Sequence, residues 1–232
     1  MTLLKRLSSW FSDSSEMPVI ADIEETRLPN ISTSLMADVF SCVPAQRPLV
    51  VLDFAAGNSS TVAFLNHFNC RVTFIDLLGV LADIEDAEAL KREADGDFVS
   101  FSKEQLVGHY TKHLDNYSVS EVDICLFWDL LNFLPAEHFC ALIEALQPRL
   151  HPFTCGHIIG AYNPRTAINS ARFGLKELNS IEQRPLTLPA NVRLHLYKQG
   201  ELEHLLKPLV IDRSRLLGEG RVEYLLYHRD KS

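Results

Sequence analysis

The segment VVLDFAAGNSSTVAFL, residues 50–65, passes from an apolar strand through a short loop into the start of a helix. The loop consists of small residues, namely Ala55, Ala56, Gly57, Asn58 and Ser59. Small residues let the main chain approach a ligand closely, and the free N–H groups at the following helix start suit a polar or anionic group. The pattern therefore indicates either a binding loop for a nucleotide-like cofactor or a tight turn in a packed α/β domain.

A carboxylate follows this loop at the spacing typical of a ribose-binding acid. Asp76 ends the second apolar segment, CRVTFID, and lies 23 positions after Asp53. An acid about 20 residues beyond such a loop can accept hydrogen bonds from both ribose hydroxyls. We therefore predict that Asp76, with Leu77 beside it, binds the cofactor. Asp53 either contacts the cofactor as well or only anchors N–H groups of the loop.

Apolar strands and amphipathic helices alternate through the middle of the chain. The pattern predicts strands over residues 48–54, 70–76, 97–101, 122–130 and 156–162. It predicts helices over residues 28–44, 59–68, 77–94, 103–114 and 135–150. Such alternation predicts an α/β fold with a parallel sheet and helices on both faces. The tail differs, because a helix at 201–206 precedes two strands within 207–228 that form a hairpin, and one of them must run antiparallel to the sheet.

Together these motifs resemble class I S-adenosylmethionine-dependent methyltransferases. VVLDFAAGNSS and VTFID are similar to the family's motifs I and II, and VDICLFWDLLNFL is similar to its fourth motif. The closing residues LYKQGELEHLLKPLVIDRSRLLGEGRVEYLLYH resemble its last helix and hairpin. The resemblance covers about residues 46–229. It implies a Rossmann-like doubly wound sheet of seven strands in the order 3-2-1-4-5-7-6 with strand 7 antiparallel, S-adenosylmethionine as cofactor, and methyl transfer as the activity.

The resemblance also implies roles for single residues. Asp53 matches the acid near the methionine end of the cofactor, Gly57 matches the central loop glycine, and Ser102 stands where the family often has an adenine-binding acid or amide. Trp128 and Asp129 match the end of the fourth strand, which faces the transferred methyl group. Asp129 is thus the candidate catalytic residue, or else a solvated or helix-capping carboxylate. Trp128 either walls the cofactor or only packs in the core.

The segment after the fifth predicted strand, AYNPRTAINSARFGLKEL, corresponds to the region that shapes the acceptor pocket in the family. Tyr162, Asn163 and Arg165 are the candidate substrate contacts there. An arginine can grip a carboxylate or a phosphate through two parallel hydrogen bonds. The alternative is an ordinary turn set by the Asn163-Pro164 pair. The acceptor itself does not follow from the sequence.

Composition and charge limit the setting in which the chain works. Its 232 residues carry a net charge of −8 and no long basic run, which disfavours nucleic acid as a partner. The five cysteines are dispersed without a C-x-x-C pair, which favours a reducing cytoplasm over a disulfide framework. His109 and His113 share one helical face, but no third ligand follows them, so no metal is predicted.

The N-terminal part of the chain is predicted to be separate from the enzyme-like domain. Residues 1–45 are interpreted as a helical appendage and linker, and residues 46–232 as a methyltransferase-like domain. Residues 2–12 can form a short amphipathic helix. This helix is either simply packed or frayed, or it makes a weak contact with a membrane or a partner protein. The alternative to an enzyme is therefore a catalytically inactive methyltransferase-like scaffold that binds a partner through this segment.

Overall fold

The structure is a computed structural model, and it describes residues 28–43, 47–55, 57–95, 100–162, 171–186, 188 and 192–228. Its strands are β1 (Ile31–Ser32), β2 (Leu49–Asp53), β3 (Cys70–Phe74), β4 (Val122–Trp128), β5 (Leu150–Ala161), β6 (Ala171–Glu177), β7 (Ser180–Pro185), β8 (Leu209–Leu216) and β9 (Arg221–His228). Its α-helices are α1 (Met36–Ser41), α2 (Ser59–His67), α3 (Leu77–Asp95), α4 (Lys103–Asp115), α5 (Ala136–Leu146) and α6 (Gln199–Leu205).

The central sheet has the strand order β3-β2-β4-β5-β9-β8. The first four of these strands run parallel, whereas β9 is antiparallel to both β5 and β8. All seven residues of β4 are buried, so side chains on both faces of the sheet are covered. The predicted α/β class, the mainly parallel sheet and the antiparallel closing hairpin are confirmed.

The predicted count of seven strands is corrected within the described part of the chain, where the central sheet has six. The missing member is the strand predicted at 97–101. Residues 97–99 of that segment lie outside the described residues, and residues 100 and 101 belong to no strand. In the family's strand numbering, the six observed strands have the predicted order 2-1-4-5-7-6. The predicted strand 3 at the edge of the sheet is the one that is left out.

A second sheet of three strands, β1-β7-β6, was not predicted. Its β1 overturns the helix predicted over 28–44, because Ile31 pairs with Ile181 and Ser32 with Ser180. The helix that does form here, α1, is confined to Met36–Ser41. The pairing strand lies about 150 residues away in the chain, so no local pattern in residues 28–44 indicates it. The helix prediction rested on residues that also suit a capped helix start.

The fifth predicted strand begins earlier than its sequence pattern suggested. The predicted strand starts at residue 156, whereas β5 starts at Leu150 and ends at Ala161. Its pairing with β4 shifts register between Val122 and Ile124, and this irregularity accommodates the extra residues. The Thr154 hydroxyl donates a hydrogen bond to the carbonyl oxygen of Val122 at 2.7 Å, which fixes the start of the strand against its neighbour.

The described part of the predicted appendage, residues 28–43, packs against the central sheet. Leu35, Met36 and Val39 are buried, and α1 contacts β5 and β9. The Thr33 hydroxyl donates to Glu223 Oε2 on β9 at 2.6 Å. The amphipathic pattern at residues 2–12 lies outside the described residues. Within the described ranges, no helix combines the length and the apolar character needed to cross a bilayer.

Candidate functional site

A cavity of about 280 Å³ opens at the carboxyl ends of β2, β3 and β4. In the sheet, β3 lies on one side of β2 and β4 lies on the other side. The strand order therefore reverses at β2, where the cavity opens. Open α/β sheets bind their ligands at such a point. The volume lies just below the roughly 300–1,000 Å³ that is typical of small-molecule sites.

Asp76 lies at this cavity, at the exposed start of α3. Its Oδ1 accepts a hydrogen bond from the Gly79 N–H at 3.1 Å, so the carboxylate also caps the helix. A Cβ atom added to Gly79 would lie 2.7 Å from Asp76 Oδ2, and the glycine therefore leaves room for that oxygen. Leu77, which was predicted to bind beside Asp76, is buried in the hydrophobic core and is not among the lining residues.

Asp53 is buried beneath the loop that follows β2. Its Oδ1 accepts hydrogen bonds from Trp128 Nε1 at 2.6 Å and from the Ala55 N–H at 3.0 Å. Burial raises the pKa of Asp53 from 3.8 to about 7, although both hydrogen bonds act in the opposite direction. The carboxyl group thus anchors the loop and the tryptophan, while Ala55 and Trp128 themselves line the cavity.

Trp128 forms a fixed, fully buried wall of the cavity. Its backbone φ of 52° lies in the left-handed region, which a bulky residue adopts only where the surroundings hold it. Besides the bond to Asp53, its ring stacks on Phe173 with centroids 5.9 Å apart and meets His157 edge-on at 6.2 Å. The contact with Phe173 joins the end of β4 to the β6–β7 hairpin.

The rest of the small-residue loop is occupied with packing and capping. A Cβ atom at Gly57 would lie 2.8 Å from the Phe74 ring, so the ring makes glycine necessary there. Asn58 accepts from the Thr61 N–H at 2.7 Å and caps α2. Ser59 is the first helical residue, because Asn58 before it has the extended backbone that a cap requires. Gly57, Asn58 and Ser59 do not line the cavity.

Four further predicted contacts are found away from the cavity or outside the described residues. Ser102 caps α4 and forms a capping box with Gln105, and it is not among the lining residues. Tyr162 is exposed and contributes to a different depression, beside β8 and β9. Asn163 and Arg165 lie outside the described residues. Any role of these residues in binding stays a prediction.

Asp129 is the most unusual polar group of the cavity. It is buried, and within the described part of the chain its Oδ1 has no hydrogen-bond partner. Burial raises its pKa from 3.8 to about 7, and the positive charge of Arg221 acts against this shift. Arg221 is itself buried on β9, donates to Gln183 Oε1 at 2.9 Å, and lies 5.8 Å from the centre of the Phe173 ring.

The β6–β7 hairpin supplies the lining residues that sequence reasoning missed. Ala171, Arg172 and Phe173 on β6 line the cavity opposite the strand ends. The hairpin is fastened to the loop, since Asn58 Nδ2 donates to the Phe173 carbonyl oxygen at 3.3 Å. Alternating apolar and charged residues in ARFGLKELNSIEQRP are the signal that would have indicated two strands joined by a turn.

No group of three or more metal-ligating side chains is found among the described residues. His109, one of the two histidines considered, stacks on Phe101 with centroids 4.8 Å apart. All five cysteines are free thiols.

Comparison with known proteins gave structural similarities only, because no protein-family model and no curated protein sequence matches the chain. A 1,6-didemethyltoxoflavin-N1-methyltransferase from Burkholderia thailandensis, solved with 1,6-didemethyltoxoflavin and S-adenosylhomocysteine, is 17% identical over 85% of this chain and 79% of its own, with a TM-score of 0.41. A TehB-like SAM-dependent methyltransferase from Corynebacterium glutamicum is 13% identical over 84% of this chain and 87% of its own, with a TM-score of 0.44. At such identities and scores, neither likeness bears on the activity of this chain.

Proposed function

We propose that the chain is an S-adenosylmethionine-dependent methyltransferase that acts on an unidentified acceptor. The observation that carries this proposal is the cavity at the point where the strand order reverses, with Asp76 at its edge and Asp129 buried in its wall. The position of Asp76 after β3 is the one that its sequence spacing predicted for a ribose-binding acid.

The residues at the cavity fit such a cofactor at two places. Asp76 Oδ1 caps α3, and the carboxylate keeps Oδ2 to accept hydrogen bonds from a ribose. Trp128 and Phe173 form an aromatic wall next to Asp129. When bound, the cofactor supplies a sulfonium methyl group as electrophile. The protein then contributes mainly position and electrostatics.

Calorimetric titration with S-adenosylhomocysteine tests this proposal. We expect wild-type protein to bind in the micromolar range and Asp76→Asn to bind at least tenfold more weakly, because an amide has one acceptor oxygen where the carboxylate has two. Asparagine still caps the helix, so stability should change little. Asp86→Asn, an exposed position on the same helix, is the matched control and should bind like wild type. Equal affinity of all three proteins would contradict the role of Asp76.

A catalytically inactive scaffold remains the second candidate, and the state of Asp53 favours it. The carboxyl group expected near the methionine end is buried and engaged by Trp128 and Ala55. If wild-type protein fails to bind S-adenosylmethionine or S-adenosylhomocysteine even at millimolar concentration, the scaffold is the better explanation. Deletion of residues 1–16 followed by sedimentation with vesicles and a partner pull-down would then test the N-terminal segment.

The setting we propose is the cytoplasm. The five free thiols suit a reducing compartment. The net charge of −8 suits a small-molecule acceptor better than a nucleic acid.

A further inference from the structure

We infer that the methyl acceptor is an uncharged, flat small molecule that presents an O–H or N–H group to Asp129 Oδ1. This inference rests on the proposed function and names the class of its substrate. Three observations support it: the unpartnered oxygen of Asp129, the charges around that oxygen and the aromatic wall beside it.

The unpartnered oxygen calls for a hydrogen-bond donor. Asp129 is only 2% exposed, it lines the cavity, and its Oδ1 has no partner among the described residues. A buried carboxylate oxygen without a donor is costly, and native structures satisfy nearly all such atoms. Because Asp129 lines the cavity, we expect a ligand bound there to supply the donor that this oxygen lacks. An acceptor with an O–H or N–H group can donate this hydrogen bond, and an acceptor without one cannot.

The charges around Asp129 disfavour a second anion. On β9, Arg221 is the cation whose charge acts on Asp129. On β2, the carboxyl group of Asp53 lies behind Trp128. At the cavity itself, Asp76 adds another carboxylate, and Arg172 is exposed to solvent, where its charge is screened. A carboxylate, thiolate or phosphate bound beside Asp129 would therefore face like charge in a poorly solvated place.

The aromatic wall fits a flat ring. Trp128 and Phe173 are stacked with an interplanar angle of 19°, and Leu130 and Ala171 complete an apolar surface next to Asp129. Aromatic ligands pack well on aromatic rings because offset and edge contacts both add to the burial of apolar area.

This arrangement also gives Asp129 a defined part in the reaction. As the oxygen or nitrogen lone pair of the acceptor bonds to the methyl carbon, the acceptor releases its proton to Asp129 Oδ1. The electron pair of the breaking carbon–sulfur bond returns to sulfur, which becomes a neutral thioether. The carboxylate ends protonated, and its pKa of about 7 lets it release that proton to water near neutral pH.

A matched ligand pair tests the inference without any cofactor. 2-Naphthol and 2-methylnaphthalene have the same ring system and differ in a hydroxyl against a methyl group. At about pH 8, above the pKa of Asp129, we expect wild-type protein to bind the naphthol at least tenfold more tightly, as measured by fluorescence titration. The Asp129→Leu variant, which keeps the branched outline of the side chain without its oxygens, should lose or reverse this preference. Asp212→Asn, an exposed substitution on β8, should keep it.

Each result decides the matter. Preference for the methyl compound in wild type, an unchanged preference in Asp129→Leu, or no binding of either compound would overturn the inference. If Asp129→Leu does not fold, as judged by circular dichroism, Asp129→Asn replaces it and should weaken the preference for the naphthol. Failure of S-adenosylhomocysteine to bind would refute the proposed function, whereas the ligand-pair ratio would still report on Asp129. The two failures are therefore distinguishable.

Discussion

Replacing Glu223 with glutamine is expected to lower the free energy of unfolding by about 3 kcal/mol at pH 7. Glu223 lies on β9 with its side chain fully buried. Its Oε2 accepts from the Thr33 hydroxyl at 2.6 Å and pairs with His157 Nε2 at 3.2 Å. Its Oε1 accepts from the Ser34 N–H at 3.0 Å and the Leu35 N–H at 3.3 Å. This single carboxylate therefore joins the start of α1 to the central sheet.

The magnitude follows from the pKa of the group. Burial alone would raise the pKa of Glu223, but the hydrogen bonds from His157, Thr33 and Ser34 outweigh it and lower the pKa from 4.5 to about 2. A difference of one in pKa corresponds to about 1.4 kcal/mol, which gives about 3 kcal/mol for the ionised group. Because the folded-state pKa is depressed, this stabilisation is complete above pH 4.5 and is lost as the pH falls toward 2.

Chemical denaturation at two pH values measures this effect. The difference in unfolding free energy between wild type and Glu223→Gln should be about 3 kcal/mol at pH 7 and about 1.5 kcal/mol at pH 3. Glu203→Gln, an exposed substitution on α6, serves as the control and should change stability by less than about 0.5 kcal/mol. A difference that is equal at the two pH values, or below about 1 kcal/mol at pH 7, would refute the reasoning.

Three other substitutions test the surroundings of the cavity. Gly174→Ala should destabilise the fold by about 1–3 kcal/mol in thermal or denaturant unfolding, since its Cβ would lie 2.0 Å from Asn58 Nδ2; wild-type stability would refute this packing. Trp128→Phe removes the hydrogen bond to Asp53 and should cost about 1.5–3 kcal/mol by denaturant unfolding, and a loss below about 0.5 kcal/mol would argue against that bond. Because the folded-state pKa of Asp129 is raised from 3.8 to about 7, its ionisation opposes folding, and wild-type stability should fall as the pH rises from about 4 to 7. Asp129→Asn should make that slope shallower, while Asp53, whose pKa is also raised to about 7, still contributes to it; an unchanged slope would contradict the assigned shift.

Local patterns were sufficient for the six strands found in the central sheet, although they also predicted a strand at 97–101 that is not found among the described residues. The continuous apolar run of β4 and the alternation of strands with amphipathic helices predicted a parallel sheet, and the two closing strands within 207–228 predicted the antiparallel β8–β9 hairpin. These signals are read within one element and its neighbour, where hydrophobic periodicity and turn residues act directly. The position of Asp76 at the cavity follows from the same source, because residues after adjacent parallel strands meet at one edge of the sheet.

The second sheet depended on contacts that no local pattern contains. Residues 31–32 suit a helix start by themselves, yet main-chain pairing with β7 makes them a strand. The sequence of the hairpin that carries Phe173 suggests an acceptor loop or a turn. The Phe173 ring meets the Trp128 ring only when folding brings the end of β4 beside the hairpin. Tertiary pairing overrides intrinsic propensity because it satisfies backbone groups and buries apolar area together.

The sequence by itself thus determined the order of the six strands found in the central sheet, and with it the edge of that sheet at which a ligand would bind. The tertiary structure alone decided the chemical state of the acids at that edge. Asp53 and Asp129 are both aspartates at the ends of neighbouring strands. Asp53 is held by Trp128 and Ala55, whereas Asp129 keeps an oxygen without a partner among the described residues. The physical reason is that burial and hydrogen bonding, which set the pKa and the reactivity of a carboxyl group, come from residues far apart in the chain.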